Sequence, residues 1–278
     1  VKMCGSSVGS MAPLPVSASS GVDVLLVRHG ESSNNVIMAE AYAKHGLTPE
    51  GRAAADAEFL ARRFDDPPLS ARGEAEAQAL VSLTPSLQAQ GCVVFVSPFL
   101  RTLQTAAPLV AALGGGAVCH PDVYEAGGCY HERDGGRDGP GQCLTAEEIR
   151  ERFPGFDTSR LPAEGGWYSG SWEDDAAGRA RGRRVAEWLL SPELKAEVGG
   201  KALVLVVHAH FIDYLLKGML GLPDEAASDV PENNTFAHRP YVFVSPNASL
   251  ARLRVGAETV IMRSFADTAH LAGLTSSL

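Results

Sequence analysis

The stretch Val22-Asp23-Val24-Leu25-Leu26-Val27-Arg28-His29-Gly30 decides how this chain folds. Val22 to Val27 is a short apolar run behind Gly21, and it gives way at once to Arg28, His29 and Gly30. A run of that length between turn-forming and polar residues reads as a buried strand ending at a loop. Its near-continuous hydrophobicity means that both faces are covered, the condition of a parallel sheet lying between helices. Two later runs repeat the pattern: Cys92–Val96 ends at Ser97-Pro98, and Ala202–Val207 ends at His208.

Helical segments alternate with these strands. Between Ser33 and Phe64 the composition turns to Ala, Glu and Arg, with breaks at Gly46 and Pro49, so two helices are expected. Ser70 opens a third from Ala71 to about Gln90, with a break at Pro85. Ser97 and Pro98 read as the N-cap and first-turn proline of a helix through Leu113. From Ala126 to Gly182 the chain is rich in Gly, Asp, Arg and aromatic residues with little periodicity, apart from a capping box at Thr145-Ala146-Glu147-Glu148. Helices near Arg181–Leu190 and Phe211–Leu220 flank the third strand, and further strands are expected at Tyr241–Val244, Leu250–Val255 and Thr259–Arg263. The predicted class is therefore α/β, a three-layer α/β/α sandwich with a mainly parallel sheet and an inserted cap region. One domain is expected over residues 21–278, with cap insertions at about 33–64 and 126–182. Residues 1–20, rich in Ser, Gly and Ala and without an apolar signal core, are expected to be disordered.

With 278 residues and 45% hydrophobic content, the chain can bury a sizeable core. Its net charge of −9 argues against nucleic acid or an anionic membrane as partner, so a phosphate-binding site would have to be a local basic pocket. The longest apolar stretches are interrupted by His208, His210, Asp213 and Lys217, and no transmembrane helix is expected. Five cysteines at irregular spacing suit free thiols in a reducing compartment, hence a cytoplasmic location. Cys119, His120, Cys129, His131 and Cys143 lack the paired CxxC spacing of a zinc motif, so no metal is expected.

In open α/β sheets, ligands sit beyond the carboxyl ends of the strands. The residues there are Arg28, His29, Gly30 and Glu31 after the first run, Ser97, Pro98 and Arg101 after the second, and His208 after the third. Two arginines and two histidines at one end of a sheet suit a phosphate dianion. The guanidinium fork matches phosphate oxygens, and a neutral imidazole is a nucleophile near pH 7. That chemistry needs no cofactor.

Arg28-His29-Gly30-Glu31-Ser32 resembles the RHG motif of the histidine phosphatase superfamily, which includes the cofactor-dependent phosphoglycerate mutases. Asp66-Pro67-Pro68-Leu69-Ser70 with Arg72-Gly73-Glu74-Ala75, Ser97-Pro98-Phe99-Leu100-Arg101 with Gln104-Thr105-Ala106, His208, and Asp267-Thr268-Ala269-His270-Leu271 fall in the family's order. The likeness covers roughly Val22 to Leu271. It implies that His29 attacks phosphorus while Arg28, Arg101 and His208 hold the phosphoryl oxygens. Asn35 takes the place of a further phosphate ligand, with Ser32 a lesser candidate. Glu125 best fits the place of the proton donor, ahead of Glu31 and Asp122, and a donor has to be protonated for part of the time. Many relatives carry glycine after the second histidine; here it is Ala209, which keeps the backbone N–H, and then His210.

The resemblance leaves three readings. The first is a metal-independent phosphatase acting on a small phosphorylated molecule through a phosphohistidine on His29. The second is a mutase passing the phosphoryl group to another hydroxyl, which the glycine-rich insert disfavours. The third is a catalytically silent binding member, which the full set of His29, both arginines, His208 and a candidate acid disfavours.

Overall fold

A computed structural model describes residues 21–132, 137, 139–222, 242–256 and 259–274. Seven strands form one sheet in the order β4-β3-β2-β5-β1-β6-β7. They are β1 (Val22–Arg28), β2 (Cys92–Val96), β3 (Ala117–Cys119), β4 (Phe156–Asp157), β5 (Ala202–Val207), β6 (Leu250–Val255) and β7 (Val260–Asp267). The pairs from β4 through to β1 are parallel. β6 and β7 close one edge antiparallel. The three apolar runs are the adjacent central strands β2, β5 and β1, in register as Val94↔Val204 and Val24↔Leu203.

Strand side chains alternate between two helical layers, as the two-residue period requires. Leu25, Val27, Val94, Val96, Val204 and Val206 pack with Leu80, Leu87, Leu103, Leu109 and Ile149. These come from the 3₁₀ turn (Leu80–Leu83) that follows α3 (Ala71–Ala79), and from α4 (Thr84–Gln90), α5 (Leu100–Leu113) and α6 (Ala146–Arg152). Val24, Leu26, Phe95, Leu203, Leu205 and Val207 pack instead with Val185, Leu189, Leu194, Phe211 and Leu215. Those belong to α7 (Asp175–Leu190), α8 (Pro192–Val198) and α9 (Ala209–Met219). The result is the predicted three-layer α/β/α sandwich with a mostly parallel sheet. The remaining helices, α1 (Ser33–His45) and α2 (Pro49–Arg62), pair with each other.

Several boundaries differ from expectation. The helix after β2 starts at Leu100, with Phe99 at its N-cap and no side-chain cap from Ser97. Its Leu100 N–H is satisfied from a distance by Asp66 Oδ1 at 2.8 Å, which releases Ser97 for other work. The break expected at Pro85 falls earlier, at the 3₁₀ segment Leu80–Leu83, because proline is tolerated in the first turn of α4. α7 starts at Asp175 rather than near Arg181, its N-cap Asp174 accepting from the Ala177 N–H at 2.7 Å. Of the strand expected at Tyr241–Val244, Tyr241 lies outside the described residues and residues 242–246 form no strand. Their backbone is turned to side chains instead: the Phe243 N–H donates to Asp213 Oδ1 at 2.9 Å, and the Ser245 carbonyl accepts from Arg28. Among the described residues no helix is long and apolar enough to cross a membrane.

Candidate active site

Beyond the carboxyl ends of β1, β2 and β5 lies a pocket of about 410 Å³. Its walls include Arg28, His29, Ser32, Asn35, Arg101, Glu125, Ala209 and His210. His208 stands just behind, its ring centroid 5.3 Å from that of His29. Glu31 and Asp122 are not lining residues. The Glu31 carboxylate accepts from Ser70 Oγ at 2.6 Å, and the Asp122 carbonyl accepts from Arg181.

The loop that carries His29 is fixed by contacts between separate motifs. A Cβ on Gly30 would stand 2.6 Å from the Gly73 carbonyl, and one on Gly73 would stand 2.0 Å from that of Glu31, so the two backbones meet where only glycine fits. The Gly30 N–H donates to Thr105 Oγ1 at 3.0 Å, and Gln104 Oε1 accepts from the Leu69 N–H at 2.8 Å. The side chains of Gln104 and Thr105 therefore position loops, while Arg101 stands on the pocket wall.

Protein atoms define the protonation of His29. Nδ1 lies 2.7 Å from the Gly30 carbonyl, which can only accept, so Nδ1 carries the hydrogen and Nε2 carries the lone pair. Burial, then the charges of Arg101 and Arg28, hold the ring's pKa well below the ordinary histidine value of 6.5. His208 is likewise held neutral by burial and by Arg101. Its Nε2 is 2.8 Å from Ser97 Oγ, while its buried Nδ1 has no partner among the described residues.

Arg28 donates through Nη1 to the Ser245 carbonyl at 2.5 Å. Arg101 is buried with its guanidinium 4.1 Å from the Phe99 ring centroid. Beside it, burial pushes the Asp66 carboxyl up to about 7 against the pull of Arg101. Asn35 Oδ1 accepts from both the Ser32 N–H (3.0 Å) and the Ser32 hydroxyl (2.9 Å), which turns its amide nitrogen to the other side. The Ser32 hydroxyl is engaged besides as the N-cap of α1, its oxygen accepting from the Asn35 N–H at 3.4 Å. Ala209 is the first residue of α9, whose N-terminal N–H groups and dipole favour an anion there.

The Glu125 carboxylate accepts from the Ala126 N–H (2.9 Å) and the Phe211 N–H (3.0 Å), and its Oε2 lies 3.6 Å from His210 Nδ1. Burial raises its pKa, but His210, His208 and Arg101 together outweigh that and hold it well below the usual carboxylate range. With protein groups alone, Glu125 is therefore ionised, where the sequence called for partial protonation. The loop on either side of it is held by Arg181, whose Nη1 donates to the carbonyls of Asp122 and Tyr124, both at 2.9 Å. The other guanidinium nitrogens of Arg181 bind Glu173 at 2.9 and 2.6 Å.

The sequence names Ser97 among the strand-end residues and Asp66 within a family motif without giving either a role at the site, and it gives no sign of a role for Arg181. Ser97 has a signal, a hydroxyl at the end of a strand, but the capping reading absorbed it.

The sequence model of the histidine phosphatase superfamily (branch 1) matches residues 24–239. No curated protein matches the sequence. Among solved structures, the chain is similar to the ecdysone phosphate phosphatase of Bombix mori at 16% identity, over 87% of this chain and 92% of that one, with a TM-score of 0.54. YhfR of Bacillus stearothermophilus matches at 16% identity over 90% and 99% of the two chains, with a TM-score of 0.51. At such identities these two likenesses speak for the fold. The family match spans both the His29 loop and the His208 strand end, and it makes this chain a member of the histidine phosphatase superfamily, branch 1.

Proposed function

We propose that the chain hydrolyses phosphomonoesters through a phosphohistidine formed on Nε2 of His29. The observation that carries this reading is the bond from His29 Nδ1 to the Gly30 carbonyl, which leaves the lone pair on Nε2 in a pocket walled by Arg28 and Arg101.

The lone pair of Nε2 attacks phosphorus in line, and the bond to the leaving oxygen breaks. Arg28, Arg101, the Asn35 amide nitrogen and the Ala209 N–H stabilise the charge spread over the equatorial oxygens. If Ser97 donates its hydroxyl hydrogen to His208 Nε2, the neutral ring carries hydrogen on Nδ1 and joins them as a donor. Glu125 gives its proton to the leaving oxygen. A bound dianion pushes a neighbouring carboxylate toward its protonated form, so substrate arrival supplies the protonation that protein groups alone withhold. In the second half, Glu125 takes a proton from water, whose oxygen attacks phosphorus. The P–N bond breaks, and inorganic phosphate leaves.

The chain is read as one domain, in which segment 33–64 and the part of 126–182 around Ala126–Tyr130 cap the pocket, whereas α6 and β4 of the second segment belong to a helical layer and to the sheet. Support comes from the lining: Met38, Phe59 and Arg63 belong to the first, and Ala126, Gly128 and Tyr130 to the second. The relative in Bombix mori, a phosphatase of a phosphorylated organic molecule, is in keeping with a small phosphorylated substrate.

The test is phosphate release from p-nitrophenyl phosphate, with and without EDTA, by wild type and His29→Ala. Chelator-resistant turnover lost in the variant is expected. Equal rates in both proteins would remove the reading. Isomer conversion of 3-phosphoglycerate with a bisphosphoglycerate primer would move the assignment to a mutase.

A further inference from the structure

We propose that the outer half of the pocket binds the alcohol portion of the phosphomonoester, and that this alcohol is bulky, uncharged and apolar. The proposal rests on the phosphatase reading above and names its substrate class.

The pocket has two chemically distinct ends. The buried His29 and Arg101 stand on its wall with Arg28, Asn35 and Glu125, while Met38, Phe59, Pro67, Tyr130, Phe243 and Val244 supply apolar wall toward the exposed side, beside the polar Asn34, Arg63 and Asp65. Those six come from five separate stretches of chain, so the apolar surface is assembled by the fold and is no accident of one sequence run. A volume of about 410 Å³ is far more than a phosphoryl group fills, and it falls within the range of pockets that enclose organic ligands. Met38 is 41% exposed and Val244 67% exposed, two of the six large hydrophobic side chains left open to solvent among the described residues. Exposed apolar side chains gathered at a pocket rim mark a place where apolar surface is covered by a ligand.

Charge points the same way. Arg63 is a third guanidinium on the wall, but its Nη1 lies 3.7 Å from Asp65 Oδ1 and its plane sits 4.4 Å from the Tyr130 ring centroid. Asp65 is on the same wall, so the pair brings no net positive charge to the outer half. A second anionic group on the substrate would meet the Asp65 carboxylate there beside Arg63.

Binding of alkylphosphonates to the full chain, followed by calorimetry, tests this apart from turnover, because the P–C bond is not hydrolysed. Full burial of a methylene is worth roughly fourfold in affinity. With partial burial, hexylphosphonate is expected to bind on the order of 30-fold more tightly than methylphosphonate. The double variant Met38→Ser, Val244→Ser, at two exposed positions, should cut that ratio severalfold. Affinities equal within threefold across the series, an unchanged ratio in the variant, or tighter binding of 2-carboxyethylphosphonate than of butylphosphonate would each overturn the proposal. Chain-length-dependent binding with no phosphate released from any alkyl phosphate would support the apolar subsite while removing the phosphatase reading.

Discussion

Replacing Arg181 by methionine keeps the stem and deletes the charge, and the cost can be worked from its contacts. The residue is 1% exposed. Its loss leaves the Glu173 carboxylate, whose side chain is 9% exposed, with the Tyr124 hydroxyl at 3.1 Å as its remaining side-chain partner among the described residues. It also strips a donor from the carbonyls of Asp122 and Tyr124. Breaking a buried pair from one side costs about 3–5 kcal/mol. Each orphaned carbonyl adds up to roughly 1 kcal/mol, less than additively because the three partners share one group. A total near 4–5 kcal/mol is a large part of a stability of order 5–15 kcal/mol. Urea unfolding followed by tryptophan fluorescence measures it. The double variant Arg181→Met, Glu173→Leu removes the stranded charge and should recover about 2 kcal/mol. In the folded fraction, the single variant should also slow turnover of alkyl phosphates, since the loop bearing Glu125 has lost its clamp. A single-variant cost below about 1 kcal/mol, or a double variant no more stable than the single, would refute the reasoning.

Two further outcomes follow from the same contacts. Glu125→Gln should lower kcat/KM for alkyl phosphates by ~10²–10³, yet leave 2,4-dinitrophenyl phosphate within a few-fold, because a stable leaving phenolate needs no proton; equal losses on both substrates would deny Glu125 the acid role. His120, buried against Trp188, has its pKa lowered from 6.5 to about 4, chiefly by burial. The unfolded chain then binds the extra proton between those values, so stability is undiminished above pH 6.5 and falls as pH drops toward 4. From pH 7 to pH 5 this one group should remove about 2 kcal/mol. His120→Phe should lose correspondingly less over the same interval in urea titrations, and identical losses in the two proteins would contradict it.

Legibility from sequence followed physical length scale. β1, β2 and β5 are buried on both faces over five to seven residues, so their hydrophobic runs stand out. β3 and β4 span three and two residues, too few for any period to register. β3 exists because the edge of β2 offers it hydrogen bonds, and β4 because β3 offers the next edge. β6 and β7 were visible as strands, but pairing direction depends on where the chain returns, which no local pattern carries. At the site, Arg28 ends its strand, His29 and His208 directly follow theirs and Arg101 lies in the first helical turn, where topology alone directs them to one end of the sheet. Ser97 was misread because a serine before proline looks locally like a helix cap, and only the distant Asp66 shows otherwise. Arg181 lies in a helix rich in arginine, and its burial comes from the Asp122–Tyr124 loop and Glu173 closing over it. The ionised state of Glu125 is also out of reach, since it depends on His210, His208 and Arg101 gathering around it in the fold.

Trapping the covalent intermediate tests the central claim most directly. The full chain would be mixed with a fast-reacting aryl phosphate, quenched within milliseconds in alkali, which preserves phosphoramidates, and read by peptide mass spectrometry and ³¹P NMR. One phosphoryl group on His29, bonded to Nε2, is the expected result. Phosphate released in a single turnover with no phosphorylated His29 at any time, or phosphorylation on Nδ1, would contradict it.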